Sequence, residues 1–417
     1  MLGGMFSFEV TQRDGKARVG RLATPHGEVR TPAFMPVGTA GSVKGVTPDQ
    51  LRAAGARMIL ANTYHLLLRP GAEVVAQLGG VHAMMGWDGP ILTDSGGYQV
   101  FSLADLRKID DGGVVFQSHV DGAEIALSPE RAIEAQWLLG ADVIMQLDEC
   151  PPGDAPKDAV AAAVRRSLDW ARRGRDVWER TGRGRIRAVT APAADSGGAN
   201  PSGTVPAVAD LDRFARGDAN SGETVQALFG IQQGGVYADL RAQSAAGLAA
   251  LDLPGYAIGG LSVGEGHEAM TAVLDEIDGQ LPADRPRYLM GVGEPRDILA
   301  AVVRGVDLFD CVLPTRNGRN AQAFTWTGRM RLRNSCWTQD ARPIDEGCDC
   351  YTCRRFSRGT LRHLFAAKEM LGPILVSIHN LRWFSQLMAA IREAIARGDL
   401  ERKAHRWTAQ MYADRQE

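Results

Sequence analysis

Asp142-Val143-Ile144-Met145-Gln146-Leu147-Asp148-Glu149 is a mostly apolar run that stops abruptly on two carboxylates. It is too short for a helix and reads as a buried strand. A strand that ends on acceptor-only side chains delivers them to a rim where a ligand can reach them. Seven other short segments share this construction: Ala33–Val37, Met58–Ala61, Ile91–Thr93, Ala227–Ile231, Tyr256–Ile258, Arg287–Met290 and Asp307–Phe309. They run into Gly38-Thr39, Asn62-Thr63, Asp94-Ser95-Gly96-Gly97, Gln232-Gln233-Gly234-Gly235, Gly259-Gly260, Gly291-Val292-Gly293 and Asp310. Helical stretches lie between several of them, such as Pro129–Leu139 and Arg296–Arg304. Eight strands with polar C-terminal ends predict an α/β fold, a (β/α)8 TIM barrel with its active site on that face. A doubly wound open sheet is the competing arrangement, but it concentrates its glycines in one fingerprint.

Two departures interrupt the barrel. Val114–His119 and Glu124–Leu127, joined through Asp121-Gly122, read as an inserted hairpin. The segment 191–222 is dominated by Ala, Gly, Pro, Ser, Asp and Asn. It buries too little apolar surface to offset its ordering entropy, so it is expected to be a disordered excursion. The barrel is expected over 1–320. Over 321–417 a hairpin about Thr327-Gly328, a cysteine cluster and two helices, near Leu361–Met370 and Leu381–Ala396, form a metal-binding subdomain that closes the chain.

That cluster is Cys348-Asp349-Cys350-Tyr351-Thr352-Cys353. Three thiolates and one imidazole make a complete tetrahedral zinc set, and four protein ligands leave no place for an activated water. The zinc is therefore expected to be structural, one per chain. His379, at the end of the apolar segment Leu375–Ile378, is the preferred fourth ligand; His363 competes with it.

The 417 residues are 45% hydrophobic and 23% charged, as in an ordinary globular protein. No apolar run approaches the roughly 20 residues that span a bilayer. The N-terminus lacks a secretory pattern, and a thiolate metal site with three scattered cysteines suits a reducing cytoplasm. A net charge of −2 argues against an obligate nucleic-acid binder. Its distribution argues otherwise: between Cys311 and His363 every basic residue is arginine, and these arginines outnumber the carboxylates. Arginine is the residue suited to phosphate forks, although a solvated face has the same composition.

Asp94, followed by Ser95, Gly96, Gly97 and Tyr98, can sit beside a planar ligand with the tyrosine as a stacking face; a turn aspartate capping the next helix reads alike. Asp148 can accept from two adjacent N–H donors, such as guanine N1 and its amine, while Gln233 and the backbone about Gly260 and Leu261 can meet a carbonyl edge. Two carboxylates on different strand ends, Asp94 and Asp310, suit chemistry at a glycosidic carbon, one as nucleophile and the other as acid and base. Asp310 leads directly into Thr315-Arg316-Asn317-Gly318-Arg319, a loop suited to phosphates and base edges.

Together these runs, with Phe229–Gly235 and Met290–Gly293, resemble the tRNA-guanine transglycosylases over nearly the whole chain except 191–222. The resemblance implies a zinc-bearing TIM barrel and a base exchange at the wobble guanosine of tRNA, in queuosine biosynthesis. It implies Asp310 as the nucleophile that forms a covalent ribosyl-enzyme, and Asp94 as general acid and base. Asp94, Ser95, Gly96, Gly97, Tyr98, Asp148, Gln233, Gly260, Leu261 and Met290 would hold the base. Gly291, Val292, Gly293, Glu294, Pro295, Arg296 and Asp297, with Thr315 to Arg319, would touch tRNA. Cys348, Cys350, Cys353 and His379 would hold zinc. Bacterial members take 7-aminomethyl-7-deazaguanine as second substrate and are homodimers. A non-catalytic RNA-binding partner subunit, a DNA base-exchange relative and a generic glycoside hydrolase are the alternatives. The first should lack one of the two aspartates, and the last leaves the cysteines unexplained.

Overall fold

The computed structural model describes residues 6–103, 107–181, 225–261 and 266–413. Eight parallel strands close into a barrel, in the order Ala33–Gly38, Ile59–Ala61, Ile91–Thr93, Val143–Met145, Ala227–Gln232, Gly255–Ile258, Arg287–Leu289 and Leu308–Cys311. The last strand pairs with the first, with Leu308 opposite Ala33 and Cys311 opposite Pro36. Every predicted strand is present, shifted by no more than two residues at either end. They are short and apolar because both faces are covered: one looks into the barrel, the other onto the helices. Inside, Met35, Leu60, Leu92, Met145, Phe229, Tyr288 and Leu308 fill the lumen as a packed core rather than a pore.

The sequence reading did not foresee an antiparallel sheet of Ser7–Asp14, Ala17–Thr24 and Gly27–Thr31, which lies across the floor of the barrel. Leu22 and Val29 of this sheet join the lumen core. Arg18 reaches from it to Asp307, just before the last barrel strand, through Nε at 2.9 Å and Nη2 at 2.6 Å. Both side chains are fully buried, and the bidentate geometry offsets much of their desolvation cost.

The inserted hairpin is there as Gly113–Gln117 paired with Glu124–Leu127, and a third strand, Arg107–Asp110, completes a small antiparallel sheet. The segment 191–222 lies outside the described residues.

The C-terminal helices differ from expectation. Instead of beginning near Leu381, one helix runs from Leu371 to Arg397, and it carries Leu375–Asn380 in its interior. A further helix, Leu400–Tyr412, follows it. The run Leu375-Val376-Ser377-Ile378 has strand-like composition, but the packing of its helix decides otherwise: the helix presses on the short helix Leu313–Arg319, the strand Gln322–Thr325 of the hairpin that Gly328–Arg331 completes, and the barrel strand Ala33–Gly38. Among the described residues no helix is long and apolar enough to cross a membrane.

Candidate active site and metal centre

The C-terminal ends of the barrel strands bring the candidate residues to one rim. Asp94 directly follows Ile91–Thr93, Asp148 follows Val143–Met145, Gln233 follows Ala227–Gln232, Gly260 follows Gly255–Ile258, and Asp310 lies within Leu308–Cys311.

Asp94 is almost wholly buried. Its Oδ1 accepts the backbone N–H of Thr63 at 2.8 Å, its Oδ2 accepts Asn62 Nδ2, and its carbonyl accepts Thr63 Oγ1 at 2.5 Å. Burial pushes its pKa up to about 6, against these hydrogen bonds, and the nearby charge of Asp310 pushes the same way. Asn62 and Thr63 were read only as a polar strand end; their grip on Asp94 is a contact across strands that sequence does not display.

Asp148 is also buried and is held from two sides, by Ser95 Oγ at 3.1 Å and Gln233 Nε2 at 2.7 Å. Burial lifts its pKa to about 6 as well. Gln233 Oε1 is buried and has no hydrogen-bond partner among the described residues, so the amide keeps one acceptor for a ligand. Gly260 has φ +65°, and a Cβ there would stand 2.4 Å from that same Oε1. Any side chain at 260 would close the pocket. At Gly97 a Cβ would stand 2.7 Å from the Asp148 backbone carbonyl and 3.2 Å from its Oδ1, so the backbone passes tight against this residue. Tyr98 exposes 51% of its surface and is free to cover a ligand. Leu261 is buried and Met290 half-buried beside the lumen core. Cys150 sits in the same pocket, and burial pushes its thiol up to about 12, so it stays protonated.

Asp310 stands across the rim. Its Oδ1 accepts Tyr288 Oη at 2.6 Å and the Gly291 N–H at 2.7 Å, and its Oδ2 accepts no hydrogen bond from any described residue. One oxygen is anchored and the other is left for a reacting atom. Burial raises the carboxyl pKa, while the two donors hold it down. Tyr288 reads in sequence as core; only the structure reveals its hydroxyl.

The two candidate RNA segments divide by exposure. Gly291 and Arg296 face solvent, whereas Val292, Gly293 and Pro295 are buried. Glu294 is held by Arg329 and by Tyr412 Oη at 2.9 Å, and Asp297 pairs with His267. In the helix Leu313–Arg319, Arg316 is exposed and Arg319 half-buried, with its Nη1 lacking a hydrogen-bond partner among the described residues. Thr315, Asn317 and Gly318 are buried, and Ser377 of the long helix donates to the Thr315 carbonyl at 3.5 Å.

The sulfurs of Cys348, Cys350 and Cys353 and Nδ1 of His379 lie within 4.8 Å of one another. Cys350 and Cys353 Sγ stand 3.7 and 3.3 Å from that Nδ1. Ligands on a tetrahedral ion with two nitrogen- and sulfur-type bonds lie about 3.5 Å apart, so the donor set fits a metal ion. His379 Nε2 donates to the Phe324 carbonyl at 2.9 Å, which fixes the tautomer and leaves the Nδ1 lone pair for the ion. Arg382 grips Asp349 with two 2.7 Å bonds and anchors the cysteine loop to the long helix. His363 is exposed and outside the cluster. The next residue of the helix, Asn380, bonds the carbonyls of Pro314 and Gln322 and the N–H of Phe324, each at 2.9 Å. One helix thus ties the metal centre to the loop that follows Asp310.

Comparison with known proteins agrees with this arrangement. The family described as queuine tRNA-ribosyltransferase matches residues 13–202 and 206–413. The queuine tRNA-ribosyltransferase of Novosphingobium aromaticivorans is 53% identical over 393 residues, 94% of this chain and 95% of its own length. That of Cereibacter sphaeroides is 51% identical over 95% of this chain and 94% of its own, and that of Thermus thermophilus 51% over 94% and 91%. With the family match over nearly the whole chain and relatives about half identical along most of their own length, the chain belongs to the queuine tRNA-ribosyltransferase family.

Proposed function

We propose that this chain is a pentosyltransferase that exchanges the wobble guanine of tRNA for 7-aminomethyl-7-deazaguanine, in queuosine biosynthesis. The observation that carries the reading is the unequal state of the Asp310 oxygens: Oδ1 is anchored by Tyr288 and Gly291, and Oδ2 is unengaged by any described residue.

In the first step Oδ2 attacks C1′ of the guanosine. The C1′–oxygen bond forms, the C1′–N9 bond breaks, and guanine leaves with the electron pair and takes a proton from Asp94. In the second step Asp94 takes the N9 proton of the incoming base, whose nitrogen attacks C1′ and releases Asp310. Two inversions retain the configuration. An Asp94 pKa of about 6 suits a group that both gives and takes a proton near neutrality. Asp148 accepts the N1 and amino hydrogens of the base, while Gln233 and the backbone about Gly260 and Leu261 meet its carbonyl. Ser95, Gly96 and Gly97 shape the pocket, and Tyr98 and Met290 cover the rings. Arg296, Arg316 and Arg319 reach tRNA phosphates, and the buried members of the segments 291–297 and 315–319 hold them in place.

The catalytic barrel spans 1–320 and the metal-binding region 321–417. The Cys348, Cys350, Cys353 and His379 set holds one zinc, which when bound supplies four bonds of structural cross-linking. A thiolate metal set beside scattered cysteines supports a reducing, cytoplasmic setting. The exposed apolar Met370, Leu371 and Tyr351 support pairing of two copies into a homodimer, which sedimentation will check.

The decisive experiment follows radiolabelled guanine into unmodified tRNA. Incorporation by the wild type and none by Asp310→Asn supports the reading. No incorporation by folded, metal-loaded wild type would leave a non-catalytic RNA-binding subunit or a DNA base-exchange enzyme.

A further inference from the structure

Glu294 and Asp297 put two carboxylates into a segment read as touching tRNA, where a bare negative charge would repel the phosphate backbone. The structure turns both of them inward. Glu294 occupies the N-cap position of the helix Pro295–Val303, yet its side chain makes no cap bond. It points instead to two other elements: one oxygen takes Arg329, on the strand Gly328–Arg331, and the other accepts Tyr412 Oη at 2.9 Å. Asp297 is engaged by His267 and by Arg296 Nε, the latter at 3.5 Å. The side chains of Glu294 and Asp297 keep 28% and 18% of their surface exposed, against 44% for Arg296. The cation is the member of this group that faces out.

Tyr412 joins these contacts. It is the last residue of the helix Leu400–Tyr412, which packs against Pro295–Val303 and against the hairpin strand Gly328–Arg331. The fit at that end is close: a Cβ on Gly328 would stand 3.0 Å from the Met411 carbonyl. The phenol oxygen reaches Glu294, and the guanidinium of Arg296 sits over the ring, 5.6 Å from its centroid. That is within cation–π range. Burial and the neighbouring Glu294 charge push the phenol's pKa up, so it stays protonated and donates. An arginine is a long side chain with many rotamers, and ordering one on binding costs conformational entropy. A ring that holds the guanidinium beforehand removes part of that cost.

We propose that Tyr412 is a positioning residue for tRNA: its ring holds the Arg296 guanidinium ready for a phosphate, and its hydroxyl keeps the Glu294 carboxylate turned away from the backbone. The proposal rests on the base-exchange reading, in which Arg296 meets tRNA. It adds that the end of the C-terminal helix sets part of the affinity for the substrate. Gly291, whose N–H bonds Asp310 Oδ1 at 2.7 Å, opens the same segment, so one short stretch of chain links the held arginine to the nucleophile.

The test uses the full, metal-loaded chain as wild type, Tyr412→Phe, Tyr412→Leu, Arg296→Ala, and the double variant of Tyr412→Leu with Arg296→Ala. Dissociation constants come from fluorescence anisotropy of labelled, unmodified tRNA over a salt series, and exchange from radiolabelled guanine. Tyr412→Leu should raise Kd and KM for tRNA about 3- to 10-fold and flatten the slope of log affinity against log salt, with KM for guanine unmoved. Tyr412→Phe keeps the ring and should keep the wild-type slope. In the Arg296→Ala background, Tyr412→Leu should weaken tRNA binding no further, as expected of two residues that act as one. Should the leucine variant lose Tm, Tyr412→Met repeats the test with a side chain of similar reach and no ring. A tyrosine that only holds its helix in place would weaken binding by the same factor with or without Arg296, and that result overturns the proposal. So does wild-type Kd and slope in Tyr412→Leu. The anisotropy arm reads Tyr412 whether or not exchange occurs, so failure of the base-exchange reading, seen as no label incorporated by folded wild type, is a separate result.

Discussion

The phenol of Tyr288 donates a 2.6 Å hydrogen bond to Oδ1 of Asp310. Tyr288 is itself fully buried, and that burial, together with the carboxylate beside it, pushes the phenol's pKa well up, so the phenol donates. A hydrogen bond to a charged acceptor is worth about 1.5–3 kcal/mol. Tyr288→Phe keeps the ring in the lumen and removes only this donor. The Asp310 carboxylate then loses a group that lowers its pKa, and its neutral form gains. Guanine exchange should fall about 10- to 100-fold, and the acid limb of kcat/KM should move to higher pH. A profile that keeps its acid limb would show that the phenol does not act through the carboxylate.

Asp94 and Asp148 both reach about 6 through burial. A carboxyl whose folded pKa lies above its unfolded value near 3.9 favours folding while protonated. That contribution is full below about pH 4 and is lost as pH climbs through about 6. The base-free protein should therefore be less stable at pH 8 than at pH 5 on account of these groups. Raising a carboxyl from near 3.9 to about 6 is worth on the order of 3 kcal/mol per group, as an upper bound. Asp148→Asn removes one such group. Its Tm should rise relative to wild type at pH 8 and much less at pH 5, while guanine exchange falls more than 100-fold. Parallel Tm changes at both pH values would mean that burial of Asp148 carries no such strain.

The strands and the rim were legible because a barrel strand is a local signal: a short apolar run that stops on a polar residue. Asp94, Asp148, Gln233 and Asp310 each sit where such a run stops. The floor was not legible. Ser7–Asp14 alternates weakly and is largely exposed, so it shows little hydrophobic pattern. Arg18 is charged yet fully buried, and only its pairing with Asp307, far along the chain, explains it. His379 was preferred over His363 as the fourth candidate ligand, and it does lie in the cysteine cluster, but it was placed at the end of an ordered segment. It lies mid-helix, because packing on three neighbouring elements outweighs the strand preference of Val376 and Ile378.

Metal removal should reach beyond the cysteine loop. His379 is buried in the helix that also packs against the floor sheet, the barrel strand Ala33–Gly38 and the helix Pro48–Ala54. Cys353→Ser should lose the ion by elemental analysis and lower Tm. Hydrogen exchange should quicken along the helix Leu371–Arg397 and in the hairpin Gln322–Arg331, where His379 bonds Phe324. Exchange confined to residues 348–353 would show that the centre is an isolated staple.

The segment after Asp310 carries two kinds of residue, and substitution should separate them. A Cβ at Gly318 would stand 2.5 Å from Ser377 Oγ and 2.7 Å from its backbone nitrogen. The second neighbour is backbone within a helix and cannot turn away. Gly318→Ala should push the helix Leu313–Arg319 off the long helix, at a cost of about 1–3 kcal/mol, and lower Tm. Arg316 is exposed and has no carboxylate partner among the described residues. Arg316→Ala should leave Tm unchanged, raise KM for tRNA, and reduce the slope of log affinity against log salt by about one. An Arg316→Ala variant with unchanged salt dependence would remove this residue from the phosphate contacts. Wild-type Tm in Gly318→Ala would show that the two helices have room to part.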